Sequence, residues 1–266
     1  MKKRTFIVWK IIIAVLSFVG TFLFKVNPFE ILEDLADISF NICVSVFSSM
    51  ILVFFIDGIS NHIQEKQTIQ VELEYIKRFN NILKLYIDQY VLMYYCVSTP
   101  LKNRKFENVN MPENFTIKDM RDLHGKTLLV KEGFFGSSID GFLKVELILR
   151  NELISLVERY NFSHYPQFVK IFTDYIKASL YYDCRSAIED SAQMLKGNKK
   201  YNETLLSLFE NEADEFYNKM EKDEEVNANI VHPYIFLYKM MQMQRKTILD
   251  YKNEITKIFG KSSSKK

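Results

Sequence analysis

The sequence predicts an all-α fold. It divides into a transmembrane hairpin of two helices over residues 1–57, a long membrane-proximal helix over 58–97, a loop over 98–115 and a cytoplasmic helical bundle over 116–266. Three observations predict this. Apolar residues concentrate before Asp57, and most charges follow it. Eight glycines and five prolines are few for 266 residues, which favours long helices over turn-rich sheet. From Gly58 onward apolar residues recur three and four apart, the period of one helix face. There is no period-two run of strand length bounded by turns, and no internal repeat.

The hairpin comes first. Crossing ~30 Å of hydrocarbon takes ~20 apolar residues. Ile38 to Ile56 meets that requirement with no charge, and an aspartate, Asp37 or Asp57, stands at each end. Phe6 to Phe24 carries one charge, Lys10, within its first turns, where the side chain can snorkel to the headgroups. Trp9 beside it suits the interface. The same segment has the basic start and apolar middle of a signal peptide. It is read as retained because "FKVNP" follows it, without a small-x-small cleavage site. Lys2, Lys3 and Arg4 precede the first span, whereas the connecting "KVNPFEILEDLAD" has one Lys against Glu30, Glu33, Asp34 and Asp37. The bias places the N-terminus inside, the loop outside and everything after 57 inside. Pro28 separates the two helices.

Both spans carry small polar residues. Ser17, Gly20 and Thr21 form a patch on the first, and Asn41, Ser45 and Ser48 share one face of the second. In lipid such residues let helices approach closely and hydrogen-bond. Two readings follow: the patches pack the hairpin, or the polar face lines a leak between several assembled hairpins.

Beyond the membrane, Ile69, Leu73, Ile76, Asn80, Leu83, Ile87, Tyr90 and Tyr94 alternate by four and three. Asn80 then stands at a core position of the kind that fixes pairing register in a self-associating stalk. Phe79, Tyr86 and Met93 widen the stripe, as in a helix of an intramolecular bundle. Both readings stay open. "STPLKNRKFENVNMPENF" (98–115) is aperiodic and rich in Asn and Pro, hence a loop. Thr116 and Asp119 make a capping box. Further helices are expected at about Ser138–Tyr160, from Pro166, and at about Asp183–Lys196, Tyr201–Lys222 and Pro233–Phe259. Gly260 closes the last before a polar tail.

The search for chemistry excludes more than it finds. Thirty-five basic and 33 acidic residues leave a net charge of +2, so direct nucleic-acid binding is not expected. Cys43, Cys96 and Cys184 form no CxxC pair and read as separate reduced thiols. His62, His124, His164 and His232 are scattered, so neither a metal nor a cofactor is expected. "HGKT" has Met120 where a phosphate-binding loop needs glycine. Glycines crowd the segment from Gly125 to Gly141, ahead of a helix N-terminus. Lys126, Lys131, Gly133, Gly136 and Ser138 therefore make a candidate anion site, set against a plain interhelical turn. The acidic run Glu210 to Glu225 reads as a solvated face.

"RYNFSH" places Arg159 and His164 in R-x4-H spacing, which resembles the motif of HEPN ribonucleases, all-helical dimeric domains. The resemblance implies that Arg159 would hold the charge of the scissile phosphate and His164 would move its proton. The plan of two short spans followed by a helical soluble domain resembles the small membrane effectors of bacterial anti-phage systems, retron effectors among them. That resemblance implies a bacterial inner-membrane protein with cytoplasmic termini. Its spans would damage the membrane, and its soluble domain would sense or be restrained by a soluble regulatory or nucleoprotein partner. The partners expected are the lipid bilayer, further copies of the chain and that regulator. No catalytic signature names a reaction, and a non-catalytic membrane scaffold is the third reading.

Overall fold

The computed structural model describes residues 2–26, 33–125, 127, 136–211, 213–222 and 230–260. Among them the fold is all-α. The chain divides into two compact units, Met1–Val71 and Glu72–Lys266.

The first unit holds α1 (Lys2–Val26) and the first half of α2 (Glu33–Ser98). Both are long and apolar enough to cross a membrane. Side chains such as Leu16, Phe22, Ile42 and Phe55 are exposed, as the lipid-facing side of a span requires and a soluble core helix does not. The two helices run antiparallel. Lys10 pairs with Asp57, Phe18 stacks on Phe47 at 5.2 Å, and Gly20 faces Cys43. The approach at Gly20 is close: a Cβ there would lie 2.7 Å from Cys43 Sγ. Any larger residue would force the Cys43 side chain to shift, and small residues at such a contact bring helix backbones together without a hydrophobic drive.

Sequence reading expects a boundary near residue 57, but α2 runs through it unbroken. Nothing there stops a helix. Gly58 is a single, open position, with no atom within 4 Å of where a Cβ would sit, and no proline follows before Pro100.

In the second unit one stripe of α2 joins the hydrophobic core. Ile76, Phe79, Leu83, Ile87, Tyr90 and Tyr94 are all buried. The unit also holds α3 (Ser138–Arg159), α4 (Pro166–Tyr181), α5 (Arg185–Gly197), α6 (Lys199–Asn211), α7 (Ala213–Glu221) and α8 (His232–Gly260), with α4 packed between α3 and α8. Local chemistry sets these boundaries. Ser137 caps α3 in a reciprocal box with Asp140, and Pro166 opens α4. Thr116 and Asp119 form the expected box, here on a 3₁₀ turn, Ile117–Asp122. The helix expected from Tyr201 to Lys222 is covered by α6 and α7, with residue 212 between them lying outside the described residues. The segment 98–115 also departs from a featureless loop. It holds two single-turn 3₁₀ helices, Leu101–Asn103 and Phe106–Asn108. Arg104 ties it down by donating to the Thr99 carbonyl at 2.8 Å and to Ser138 Oγ at 2.9 Å, and the Leu101 amide donates to Asp122 at 2.7 Å.

Aromatic rings fill the core. Phe79 meets Phe162, Phe168 and Phe172 edge-on at about 6 Å, and Tyr251 of α8 meets Phe168 edge-on and Phe172 at a tilt, both at 5.9 Å. Each buried ring contributes about 1.5–3 kcal/mol through area removed from water, and favourable ring pairs add roughly 0.5–1.5 kcal/mol. The core also encloses a polar chain. Tyr90 donates to Gln244 Oε1 at 2.8 Å, Gln244 Nε2 donates to Glu146 at 2.8 Å, and Glu146 pairs with Arg185. Arg185 continues to Asp183 at 2.7 Å. Glu146 is fully buried, so Arg185 is what keeps its charge tolerable there.

Candidate functional site: the polar faces of the hairpin

The two small-polar patches of the spans have different surroundings. Ser17 is buried, and Gly20 makes the close approach to α2. The Ser17 hydroxyl donates to the Ile13 carbonyl at 2.8 Å, and Thr21 donates to the Ser17 carbonyl at 2.9 Å. These hydroxyls are satisfied within α1, so the patch contributes to the hairpin by small size rather than by cross-helix bonds. On α2 the half-buried residues Cys43, Phe47 and Met50 lie on the side of α1. Asn41, Ser45 and Ser48 are exposed, on the other side of the helix. Hairpin packing therefore accounts for Ser17, Gly20 and Thr21 and leaves the Asn41–Ser45–Ser48 row outside the contact.

In the second unit, the two residues of the R-x4-H spacing have different recorded neighbours. His164 is held by Glu72, a buried carboxylate that sequence reading missed. Glu72 accepts from the Ser163 hydroxyl at 2.7 Å and the His164 amide at 3.0 Å, and lies 3.1 Å from His164 Nδ1. Burial pushes the Glu72 carboxyl up, but the bonds from Ser163 and His164 outweigh it and hold it below the usual range. Arg159 is exposed at the end of α3 and lines a groove with Arg78, Tyr86, Glu152 and Tyr160. Among the described residues no hydrogen bond or ion pair joins Arg159 to His164.

Asn80 is half-buried and accepts a 2.8 Å bond from the Tyr251 hydroxyl of α8. Its Oδ1 is thus engaged inside the chain, a contact that fits the bundle reading.

Of the candidate anion site, Lys126, Lys131 and Gly133 lie outside the described residues. Gly136 and Ser138 are described, and Ser138 is fully buried between Arg104 and the Gly125 carbonyl. Ser137 and Asp140 already cap the α3 N-terminus. The cleft beside it is lined by His124, Asp140 and Glu189, so two carboxylates would oppose an anion. His124 lies 2.7 Å from the Tyr234 hydroxyl. Burial drives its pKa down to about 4 against the pull of Asp140, leaving the imidazole neutral at pH 7. In the acidic run, Glu210, Glu215 and Glu221 pair with Arg121, Lys219 and Lys239. Among the described residues no group of three or more His, Cys, Asp or Glu side chains is placed to hold a metal ion.

No protein-family model, curated protein or solved structure matches this chain. Function is therefore read from the hairpin and the bundle themselves.

Proposed function

We propose that this protein is a membrane effector that acts by altering membrane integrity, with the soluble bundle sensing or restrained by a partner. In this reading it sits in the bacterial inner membrane with both termini cytoplasmic and serves anti-phage defence or abortive infection. The observation that supports it is the exposed row Asn41–Ser45–Ser48. An anchor needs only apolar length; serine hydroxyls can bond back to their own helix, but the Asn41 amide turned toward lipid is costly unless another helix or water meets it. In the bundle the buried carboxylates Glu72 and Glu146 are paired with His164 and Arg185.

The test is to express the full chain, freed of any partner, and to follow membrane potential, RNA integrity and growth together. Loss of potential before growth stops supports the proposal. Growth arrest with intact potential and cleaved RNA would transfer the activity to the bundle. Arrest with both intact would leave the spans as an anchor for a scaffold. Reporter fusions after Phe29 and after Lys266 test orientation. A reporter active only outside the cytoplasm should work at the first and be silent at the second.

A further inference from the structure

One face of α2 is uncovered over a much longer stretch than the polar row. On a helix of 3.6 residues per turn, Leu52, Ile56, Ile59 and Ile63 continue the side marked by Asn41, Ser45 and Ser48. All four are exposed, Ile59 at 58% and Ile63 at 49%. Asn41, Leu52 and Ile63 repeat at an 11-residue interval, as do Ser45 and Ile56, and Ser48 and Ile59. That period of ~3.67 residues per turn keeps a contact on one side of a nearly straight helix. Cys43, Phe47 and Asp57, which meet α1, lie on the opposite side.

The apolar half of this face outlasts the span. At ~1.5 Å per residue Ile63 stands about 9 Å beyond Asp57. From Gly58 to Thr68 every residue of α2 is exposed, although a short helix without packing is marginal in water. Ile56, Ile59, Ser60 and Ile63 line a groove. Their spacing, i, i+3, i+4, i+7, is that of the four-residue hole which receives a side chain from a facing helix.

The occupant follows from three features. The same face supplies both the projecting isoleucines and the hole, so it is self-complementary about a two-fold axis. A bilayer holds every copy in one orientation, so two α2 helices meet parallel and in register. The face carries no charge between Asn41 and Ile63, so like charges do not oppose each other, and Lys66 and Glu74 lie beyond it.

We propose that this face docks a second copy of the chain, α2 against α2, with Ile56, Ile59 and Ile63 closing the pair where the helix leaves the membrane. The inference rests on the hairpin being membrane-embedded, as in the proposed function, but not on a leak. It also places self-association away from Asn80, whose Oδ1 accepts from Tyr251 within the chain.

The test uses the full chain in native membranes, with cysteine substituted one position at a time at Ile56, Ile59 and Ile63, and at Asn61 and Glu65 on other sides of the helix. A short bis-maleimide joins thiols that lie together, and the unsubstituted chain, with its three native cysteines, sets the background. Dimers several-fold above background at 56, 59 and 63, and at background at 61 and 65, are expected. Equal yield at all five positions, or none at any, would overturn the proposal. In the Ile63→Cys chain, adding Ile59→Glu should abolish cross-linking while the protein stays in the membrane fraction. Persistence of the dimer would also overturn it. Membrane potential read in the same cells separates the two claims. Paired helices with intact potential leave the docking standing and remove the leak. Lost potential without α2 pairs removes the docking and leaves the leak.

Discussion

Replacing Arg185 with methionine isolates a buried charge. Glu146 has no exposed side-chain surface, and Arg185 is 16% exposed. Without the guanidinium, Glu146 keeps the neutral donor Gln244 Nε2 at 2.8 Å. Breaking one side of a buried ion pair costs about 3–5 kcal/mol because the remaining charge stays desolvated. Against a domain stability of about 5–15 kcal/mol, that is a large share. Adding Glu146→Gln removes the stranded charge and keeps an acceptor for Gln244, so the double variant should recover most of the loss. The assay is urea unfolding of the full chain in detergent, followed by circular dichroism, with native-state hydrogen exchange on α3, α5 and α8. A single variant costing under about 1 kcal/mol, the scale of a surface pair, would refute the reasoning. So would a double variant no more stable than the single one.

Three further outcomes follow from the packing. Gly20→Val should lower the amount of protein in the membrane, because its Cβ would fall 2.7 Å from Cys43 Sγ, and adding Cys43→Ala should restore it. Tyr251→Phe should cost about 1 kcal/mol by removing the bond to Asn80 without altering oligomeric state, read by unfolding and light scattering. Acid should destabilise the bundle in two stages. His124 is held neutral with a pKa of about 4, below the ordinary value near 6.5, so the unfolded chain takes up the proton first. Stability present above pH ~6.5 is lost as pH falls toward ~4, by up to about 3 kcal/mol. Glu72 lies below its ordinary range, so its contribution is present above pH ~4.3 and lost as pH falls further. His124→Gln should flatten the upper stage and Glu72→Gln the lower, in unfolding measured across pH.

The apolar period of α2 was legible because burial at Ile76, Phe79, Leu83, Ile87, Tyr90 and Tyr94 repeats every three and four residues. Thr116 and Pro166 likewise marked element starts, since caps and first-turn prolines act within a few residues of themselves. What could not be read was pairing across the chain. Asn80 was recognisable as a polar residue on a core face, but its partner is Tyr251, at the far end of the sequence. Glu72, Glu146 and Gln244 sit within apolar stripes, which was a usable signal, yet the same residue types are frequent on solvated faces. Only the fold tells the two apart. The spans show the same limit. Ser17 and Ser45 are alike in sequence, and only the approach of Gly20 to Cys43 decides which patch the hairpin uses.

The sharpest test of membrane disruption by these spans is the membrane potential of cells expressing a Ser45→Leu, Ser48→Leu chain beside the unsubstituted one. Leucine keeps the span apolar and preserves insertion, and it removes two hydroxyls from a face that α1 does not touch. The expected result is a double variant as abundant in the membrane as the parent, with its bundle folded, that no longer depolarises cells expressing it. An abundant double variant that depolarises cells as fully as the parent would contradict the proposed function.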